Sequence, residues 1–329
     1  MSQCHSSPYH SDALWHDSPE LSVIRQQALP DPTEDSLYIK SIVSLVSSGT
    51  ETTVSTGQVP QTLHKTMRVP YMQGDFALPC TYGYSLVAEV IAGAQDWLGR
   101  CVHLLHPHQN AAVVASTDVF AVPENISAEN AALVSNIETI INAIWDSQCQ
   151  LGEAVVVAGF GSIGALLATT LQHVHFGPVF VIEPNPERAA IATKLGFTVI
   201  TTGSPETCAV AFNTSASSSG LQQCINAVGF EGRVLELSWY GTRSTQIQLG
   251  HDFHSQRKQI ICSQVSHIPT RKQNYWDIKR RKQLAFDLVS TGIYDRLPRQ
   301  ITPFQRAPEL FAELRQGKHA SILTFLRYD

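Results

Sequence analysis

One short stretch restricts the fold of this chain more than any other. Ala154 to Ala158 is an apolar, strand-like run that leads into Gly159-Phe160-Gly161-Ser162-Ile163-Gly164, and a helix-like run from Ala165 to Val174 follows. The three glycines have separate tasks. The first permits a tight turn, the second lets a pyrophosphate approach the backbone, and the third lets helix and strand pack closely. Phosphates then meet the helix N-terminus, where unpaired N–H groups and the helix dipole favour anions. A second strand-like run, Val179 to Ile182, ends in Glu183, which lies 183 − 164 = 19 residues past the last glycine. That is close to the roughly 20 residues expected before the acid that binds a ribose. A carboxylate there accepts hydrogen bonds from both ribose hydroxyls and repels a 2′-phosphate. Pro184-Asn185-Pro186-Glu187 supplies no neighbouring cation to reverse that preference, and Arg188 lies within reach of an adenine. The pattern points to NAD(H), with NADP(H) the less favoured cofactor. The competing reading is a glycine-rich turn in an α/β fold that binds nothing.

Around this unit the chain changes texture twice. About the first 120 residues read as β-rich: Ser36 to Ser47, Leu86 to Ala92 and Ala111 to Ala115 are short strand-like runs, punctuated by Pro60, Pro70, Pro79, Gly83 and Gly93. Ser127 fits a helix N-cap, and apolar residues from Ala128 to Asp146 recur at three-and-four spacing. Strands and helices then alternate to about Ser266, as in a parallel sheet with crossovers. The remainder reads as a helix from Tyr275 to Ser290, a strand at Gln300 to Phe304, a helix from Ala307 to Gln316 and a last strand near Ser321 to Leu326. The expected class is α/β with segments 1–127, 128–268 and 269–329. Asn213 to Gly220 is Ser-rich but fits a loop after a strand.

Composition excludes several functions. A hydrophobic fraction of 43% and a charged fraction of 16% are ordinary for a soluble enzyme. A net charge of −5 gives the whole chain no bias toward nucleic acid or acidic membranes. No apolar run approaches the roughly 18 residues of a membrane span. The polar stretch Met1 to Ser11 lacks the order of a signal peptide. Seven scattered cysteines, at 4, 80, 101, 149, 208, 224 and 262, form no Cys-x-x-Cys pair, which favours reduced thiols and a cytoplasmic setting.

The order of parts, with Ser48-Gly49-Thr50-Glu51, Tyr82-Gly83-Tyr84-Ser85, the glycine turn and the tail Phe304 to Phe325, resembles the medium-chain dehydrogenase/reductase superfamily, the zinc-type alcohol dehydrogenases among them. The resemblance runs from about Leu14 to Tyr328. It implies a GroES-like β-rich domain, a Rossmann domain and a C-terminal return to the first domain, with the site in the cleft between them. Gly49-Thr50-Glu51 with Gly83-Tyr84 is similar to bacteriochlorophyllide hydroxyethyl dehydrogenases, whereas Glu138-Thr139 and Leu237-Ser238-Trp239-Tyr240-Gly241 resemble bacterial zinc-type members. Where that family supplies its catalytic zinc ligands, this chain has Ser48, Tyr84 and Ser135. Zinc is held by thiolate, imidazole or carboxylate, and a neutral hydroxyl replaces them poorly. The four clustered cysteines of a structural zinc lobe are missing too, since Asp96 to Val114 contains only Cys101. No metal is expected.

Hydride transfer to a carbonyl builds negative charge on oxygen, so a side chain must donate a proton or stabilise that charge. Thr50 matches the family's proton-relay hydroxyl; otherwise it caps a turn. Tyr84 stands at the histidine ligand position, where its phenol can act as an acid; otherwise it is a core tyrosine. Glu138 falls one helical turn after Ser135 and is either an acid, a partner that orients Tyr84, or a surface glutamate. The resemblance places Thr139 against the nicotinamide. Trp239 and Tyr240 follow the strand-like Arg233 to Leu237 and wall the same pocket or the core. Weaker pocket candidates are Ser48, Glu51, His108 and Ser135. His254 and Arg257 fit a wall between the fifth and sixth strands. A replacement metal site built from His103, His106, His108, His251 and His254 lacks a supporting carboxylate or thiol cluster. The basic stretch Arg271, Lys272, Lys279, Arg280, Arg281 and Lys282 reads as a solvated helix face.

Together these features predict a zinc-independent, NAD(H)-dependent oxidoreductase that interconverts a secondary alcohol and a ketone. Its partners are a small-molecule substrate and, through the edge at Lys258 to Ser266, a second copy of itself. Two rivals remain: an NADPH-dependent quinone or enoyl reductase, and a non-catalytic NAD-binding protein.

Overall fold

A computed structural model describes residues 9–200 and 207–329. The part of the N-terminal reading that rests on residues 1–8, Cys4 included, lies outside them. The chain divides into two compact units. The first comprises Met1–Leu133, Arg299–His319 and Thr324–Asp329, and the second Val134–Pro298 and Ala320–Leu323.

The first unit is β-rich, as its alternating runs predict. Strands β1 (His10–Ser18) and β2 (Leu21–Ala28) form an antiparallel hairpin. Next come β3 (Ser36–Val46), helix α1 (Ser48–Ser55), β4 (Cys80–Thr81), β5 (Leu86–Ala92), β6 (Cys101–Leu104), β7 (Ala111–Ala115), β8 (Phe120–Ala121) and helix α2 (Ala128–Ala131). β3 is the hub of the larger sheet and pairs antiparallel with both β5 and β7. Its period-two alternation turns Leu37 and Ile39 into a core shared with Leu14, Leu86, Val102, Leu104 and Phe311. Helix α1 interrupts this otherwise β-rich region. Its threonines and serines are poor helix formers, and Glu51 compensates by accepting the Ser47 N–H at 2.7 Å.

The second unit is a doubly wound parallel sheet. Its elements are α3 (Val134–Ser147), β9 (Val155–Ala158), α4 (Ser162–Val174), β10 (Val179–Ile182), α5 (Pro186–Lys194), β11 (Thr198–Ile200), β12 (Cys208–Asn213), α6 (Ser218–Ala227), β13 (Val228–Glu236), α7 (Asp252–Ser255), β14 (Gln259–Cys262) and α8 (Ile278–Ser290). Strand order is β11-β10-β9-β12-β13-β14. The order reverses direction at β9, so the crevice beyond the carboxyl ends of β9 and β12 is the ligand-binding position of such sheets. β9 is buried throughout, as a strand covered on both faces must be. β15 (Arg299–Pro303), α9 (Ala307–Arg315) and β16 (Leu323–Arg327) complete the first unit, where β16 pairs with β3.

Two boundaries differ from the sequence reading. Ser127 does cap a helix, accepting the Asn130 N–H. But α2 belongs to the first unit, and the division falls at Leu133/Val134. The return begins at Arg299, not 269, because α8 packs on α3 through buried charges that its basic sequence does not advertise.

Candidate active site

Each of the two units holds candidate residues of its own. In the second, β9 ends at Ala158 and the backbone turns at Gly159 with φ +93°. A side chain on Gly164 would stand 2.0 Å from the Gly159 carbonyl oxygen, so that glycine is obligatory for helix α4 to close on the turn. Gly161 differs. A Cβ there would meet nothing within 4 Å, which leaves open space before the N-terminus of α4. A diphosphate fits this cradle, and the helix terminus favours it. Phe160 is fully buried, Ile163 half-buried, and the Ser162 hydroxyl donates to the Ile322 carbonyl at 2.6 Å. Ser162 thus serves the helix start with its backbone, its hydroxyl being used within the fold.

Glu183 sits at the end of β10, only 4% exposed. One carboxylate oxygen accepts the Phe160 N–H at 2.7 Å and the other the Asn185 N–H at 2.8 Å. The acid therefore braces the glycine turn, and each oxygen keeps one further lone pair toward a ribose. Arg188 is half-buried and its Nε donates to the Ala320 carbonyl at 3.3 Å. At the ends of the paired strands β12 and β13, Glu236 accepts from Asn213 at 2.7 Å, Tyr240 at 3.1 Å and the Ser238 N–H at 2.8 Å. Burial and this carboxylate push the Tyr240 phenol up to about 12. Trp239 beside it is half-buried. Sequence reasoning singled out Tyr240 but neither Asn213, read as the start of a loop, nor Glu236, read as part of the strand-like run Arg233 to Leu237.

Helix α3 opens the same unit. Ser135 is buried and Thr139, half-exposed, donates to its carbonyl at 3.4 Å. Asn136 is fully buried with neither end of its amide bonded. Glu138 corrects an expectation. It neither orients Tyr84 nor faces solvent: its carboxylate pairs with Arg281 at 3.3 Å and Lys282 at 2.7 Å, all three side chains at most 6% exposed. Arg281 also bonds the Asn142 side chain and the Val265 carbonyl. Arg281 and Lys282 therefore leave the solvated face expected of the basic stretch. Arg271, Lys279 and Arg280 remain exposed on it. His254 is exposed, and Arg257 pairs with Glu231 at the surface, so neither fits the wall expected of them.

In the first unit, α1 presents Ser48 and Thr50, both partly buried. The Tyr84 phenol lies within hydrogen-bonding reach of the Ser47 and Thr50 hydroxyls. Burial first, and the Glu51 charge next among the raising effects, push it up to about 12, while the two hydroxyls pull the other way. The phenol therefore keeps its proton at neutral pH. Glu51 and His108 overturn their reading as substrate-contacting groups. Both side chains are fully buried and joined at 2.8 Å. His108 continues to Ser44 at 2.7 Å, and Ser44 to Tyr328 at 2.8 Å. Ser44 and Tyr328 were not found from sequence, and no local signal marks them, because their partners lie 64 and 284 residues away.

Ser48, Tyr84 and Ser135 do not fit a zinc ion: each offers a hydroxyl, and the one phenol among them holds its proton more tightly than usual. Among the described residues, no group of three His, Cys, Asp or Glu side chains is placed to hold a metal.

Comparison with known proteins bears on the fold. Solved structures superpose over nearly the whole chain: 2R,3R-butanediol dehydrogenase from Bacillus subtilis, at 18% identity and TM-score 0.76, covers 98% of this chain and 100% of its own. Acetophenone reductase from Geotrichum candidum, in complex with NAD, gives 14% identity and TM-score 0.76, over 97% and 98%. The chain shares the fold of these two enzymes. Residues 155–207 match the TrkA-N domain model. Among curated relatives, D-guloside 3-dehydrogenase from Escherichia coli is 20% identical over 58% of this chain and 59% of its own length. L-threonine 3-dehydrogenase from Pectobacterium carotovorum is 26% identical over 38% of this chain and 40% of its own. The chain thus spans about three-fifths or less of the length of these curated relatives.

Proposed function

We propose that this protein is a metal-independent, NAD(H)-dependent oxidoreductase that interconverts a secondary alcohol and a ketone, with Thr50 and Tyr84 handling the proton. The observation that carries the reading is the cluster of the Ser47 and Thr50 hydroxyls around Tyr84, which stands where the resemblance puts one of the zinc ligands. Relatives named as 3-dehydrogenases of a D-guloside and of L-threonine support a secondary alcohol as the substrate class.

When bound, the dinucleotide supplies or accepts the hydride. The glycine turn and the α4 N-terminus hold its phosphates, and Glu183 favours a ribose with a free 2′-hydroxyl over a 2′-phosphate. Tyr84, protonated at neutral pH, donates to the substrate oxygen as charge builds there. The Ser47 and Thr50 hydroxyls donate toward the phenol oxygen, which lowers the cost of the tyrosinate that forms. Thr139, Trp239 and Tyr240 line the nicotinamide side of the second unit. The exposed sheet edge at β14, with Ile260 and Cys262 on it, fits a homodimer, and the free cysteines fit a cytoplasmic setting.

The test is a fluorescence titration with NADH and NADPH on protein whose zinc is counted in the same sample, followed by a screen of ketones and alcohols. Tight NADH binding, substoichiometric zinc, turnover of a ketone and its loss in Tyr84→Phe are expected. Stoichiometric zinc with full activity in Tyr84→Phe sinks the reading. An NADPH preference with reduction of a quinone or enone replaces it, and tight NADH binding with no turnover makes the protein a binding module.

A further inference from the structure

We infer that His108 is a positioning residue, the hub that fixes the segment carrying Thr50 against the segment carrying Tyr84. The inference rests on the preceding reading for what those hydroxyls do, but the geometry is independent of it. Toward Tyr84, the His108 N–H donates to the Tyr82 carbonyl at 3.2 Å. Its ring lies flush against Gly83, where a Cβ would stand 3.1 Å from ring atoms Cδ2 and Nε2 and the backbone already needs φ +137°. Toward Thr50, ring atom Nε2 meets Glu51 Oε2 at 2.8 Å, and Glu51 Oε1 accepts the Ser47 N–H at 2.7 Å. One imidazole therefore touches the turn that precedes Tyr84 and, through Glu51, the first turn of α1. The His108 carbonyl accepts the Leu14 N–H at 2.9 Å, which ties the hub to β1 as well.

The far side of the ring is occupied as well. Ser44 Oγ stands 2.7 Å from Nδ1, and the buried Tyr328 phenol stands 2.8 Å from Ser44 Oγ. The chain Tyr328–Ser44–His108–Glu51 thus gives each of these buried polar groups a partner. Serine, histidine and glutamate follow one another here as in a hydrolytic triad, yet Ser44, His108 and Glu51 are all fully buried. No substrate reaches that serine, and the arrangement serves to hold the ring in place.

The experiment places 3,5-difluorotyrosine at position 84 of the full chain, which gives a single fluorine signal and brings the phenol's titration into an accessible pH range. It is recorded in the parent protein, Glu51→Gln, His108→Phe, His108→Gln and the Glu51→Gln/His108→Phe pair, with folding checked by circular dichroism. Glu51→Gln removes the charge that holds the phenol up and is expected to lower the midpoint by about half a pH unit or more. His108→Phe leaves a buried carboxylate unpaired, which then takes up a proton, and the midpoint falls in the same sense. The double variant shifts no further than Glu51→Gln alone. His108→Gln, which keeps a donor for Glu51, returns the midpoint most of the way. NADH affinity stays within about twofold throughout, because the dinucleotide elements lie in the other unit. An unchanged midpoint and signal in both folded Glu51→Gln and folded His108→Phe overturns the inference and leaves His108 a core residue. Should Tyr84→Phe prove fully active while these shifts occur, the proton assignment falls and the hub stands.

Discussion

The two halves of the candidate site are built from different materials. In the second unit the work falls to the backbone: a glycine turn, the amide groups of a helix terminus, and one acid that bonds the Phe160 and Asn185 N–H groups. In the first it falls to side chains that meet across long stretches of sequence, Glu51 with His108 and Ser44 with Tyr328. Backbone sites depend on local conformation and tolerate little change at glycine. Side-chain sites depend on burial and pairing, and answer to charge and pH. The contrast can be broken or sharpened by experiment.

The largest effect is expected at Gly164. Gly164→Val places carbon atoms where the Gly159 carbonyl stands 2.0 Å from even a Cβ. The protein should lose NADH binding by more than about a hundredfold or fail to fold, since overpacked turns must shift backbone. Fluorescence titration and circular dichroism read both, and near-normal binding would contradict the role given to the turn.

Acid should act through the first unit. Burial holds the His16 imidazole down at about 3 and His106 at about 4, both below the ordinary 6.5. Both are neutral when folded and gain protons on unfolding. Their contribution is intact above about pH 6.5 and is lost progressively as pH falls toward those lowered values. Between pH 7 and pH 5 the loss is roughly 4 kcal/mol for the two together. Urea unfolding at the two pH values measures it, and pH-independent stability would remove the distinction between the halves.

Glu138→Ala strips the carboxylate from buried Arg281 and Lys282. A loss of about 3 kcal/mol is expected, because two buried cations lose the carboxylate they share. Thermal unfolding reads it, and a shift of less than a degree would show that solvent reaches the cluster.

Gly161→Ala separates binding from stability. Its Cβ meets no protein atom within 4 Å, so melting should be unchanged while NADH affinity falls about tenfold through intrusion on the phosphate cradle. Equal affinity would place the phosphates elsewhere. Smallest is Asn136→Leu, which removes two unpaired buried polar atoms and is expected to raise stability by about 1 kcal/mol. A loss on calorimetry would mean that the amide is satisfied after all.

Much of this was legible in the residues. Apolar alternation announced β3, β5 and β7 almost to the residue, and the strand–glycine–helix–strand–acid order announced β9, α4 and β10 with Glu183 at the end of β10. Both signals are local, because strand period, glycine conformation and helix capping are settled among near neighbours.

Only the tertiary structure decided which polar groups find one another. Glu138 read as an acid, a partner that orients Tyr84 or a surface glutamate, yet it pairs with buried cations of α8, and that pairing moved the return to the first unit from 269 to Arg299. Glu51 and His108 read as pocket residues, yet they form the sealed link behind the hydroxyls. The sequence determined the backbone half of this protein because a turn's cost is paid within a few residues. It left the side-chain half open because a buried charge is stabilised by whichever partner folding brings beside it, however far away along the chain.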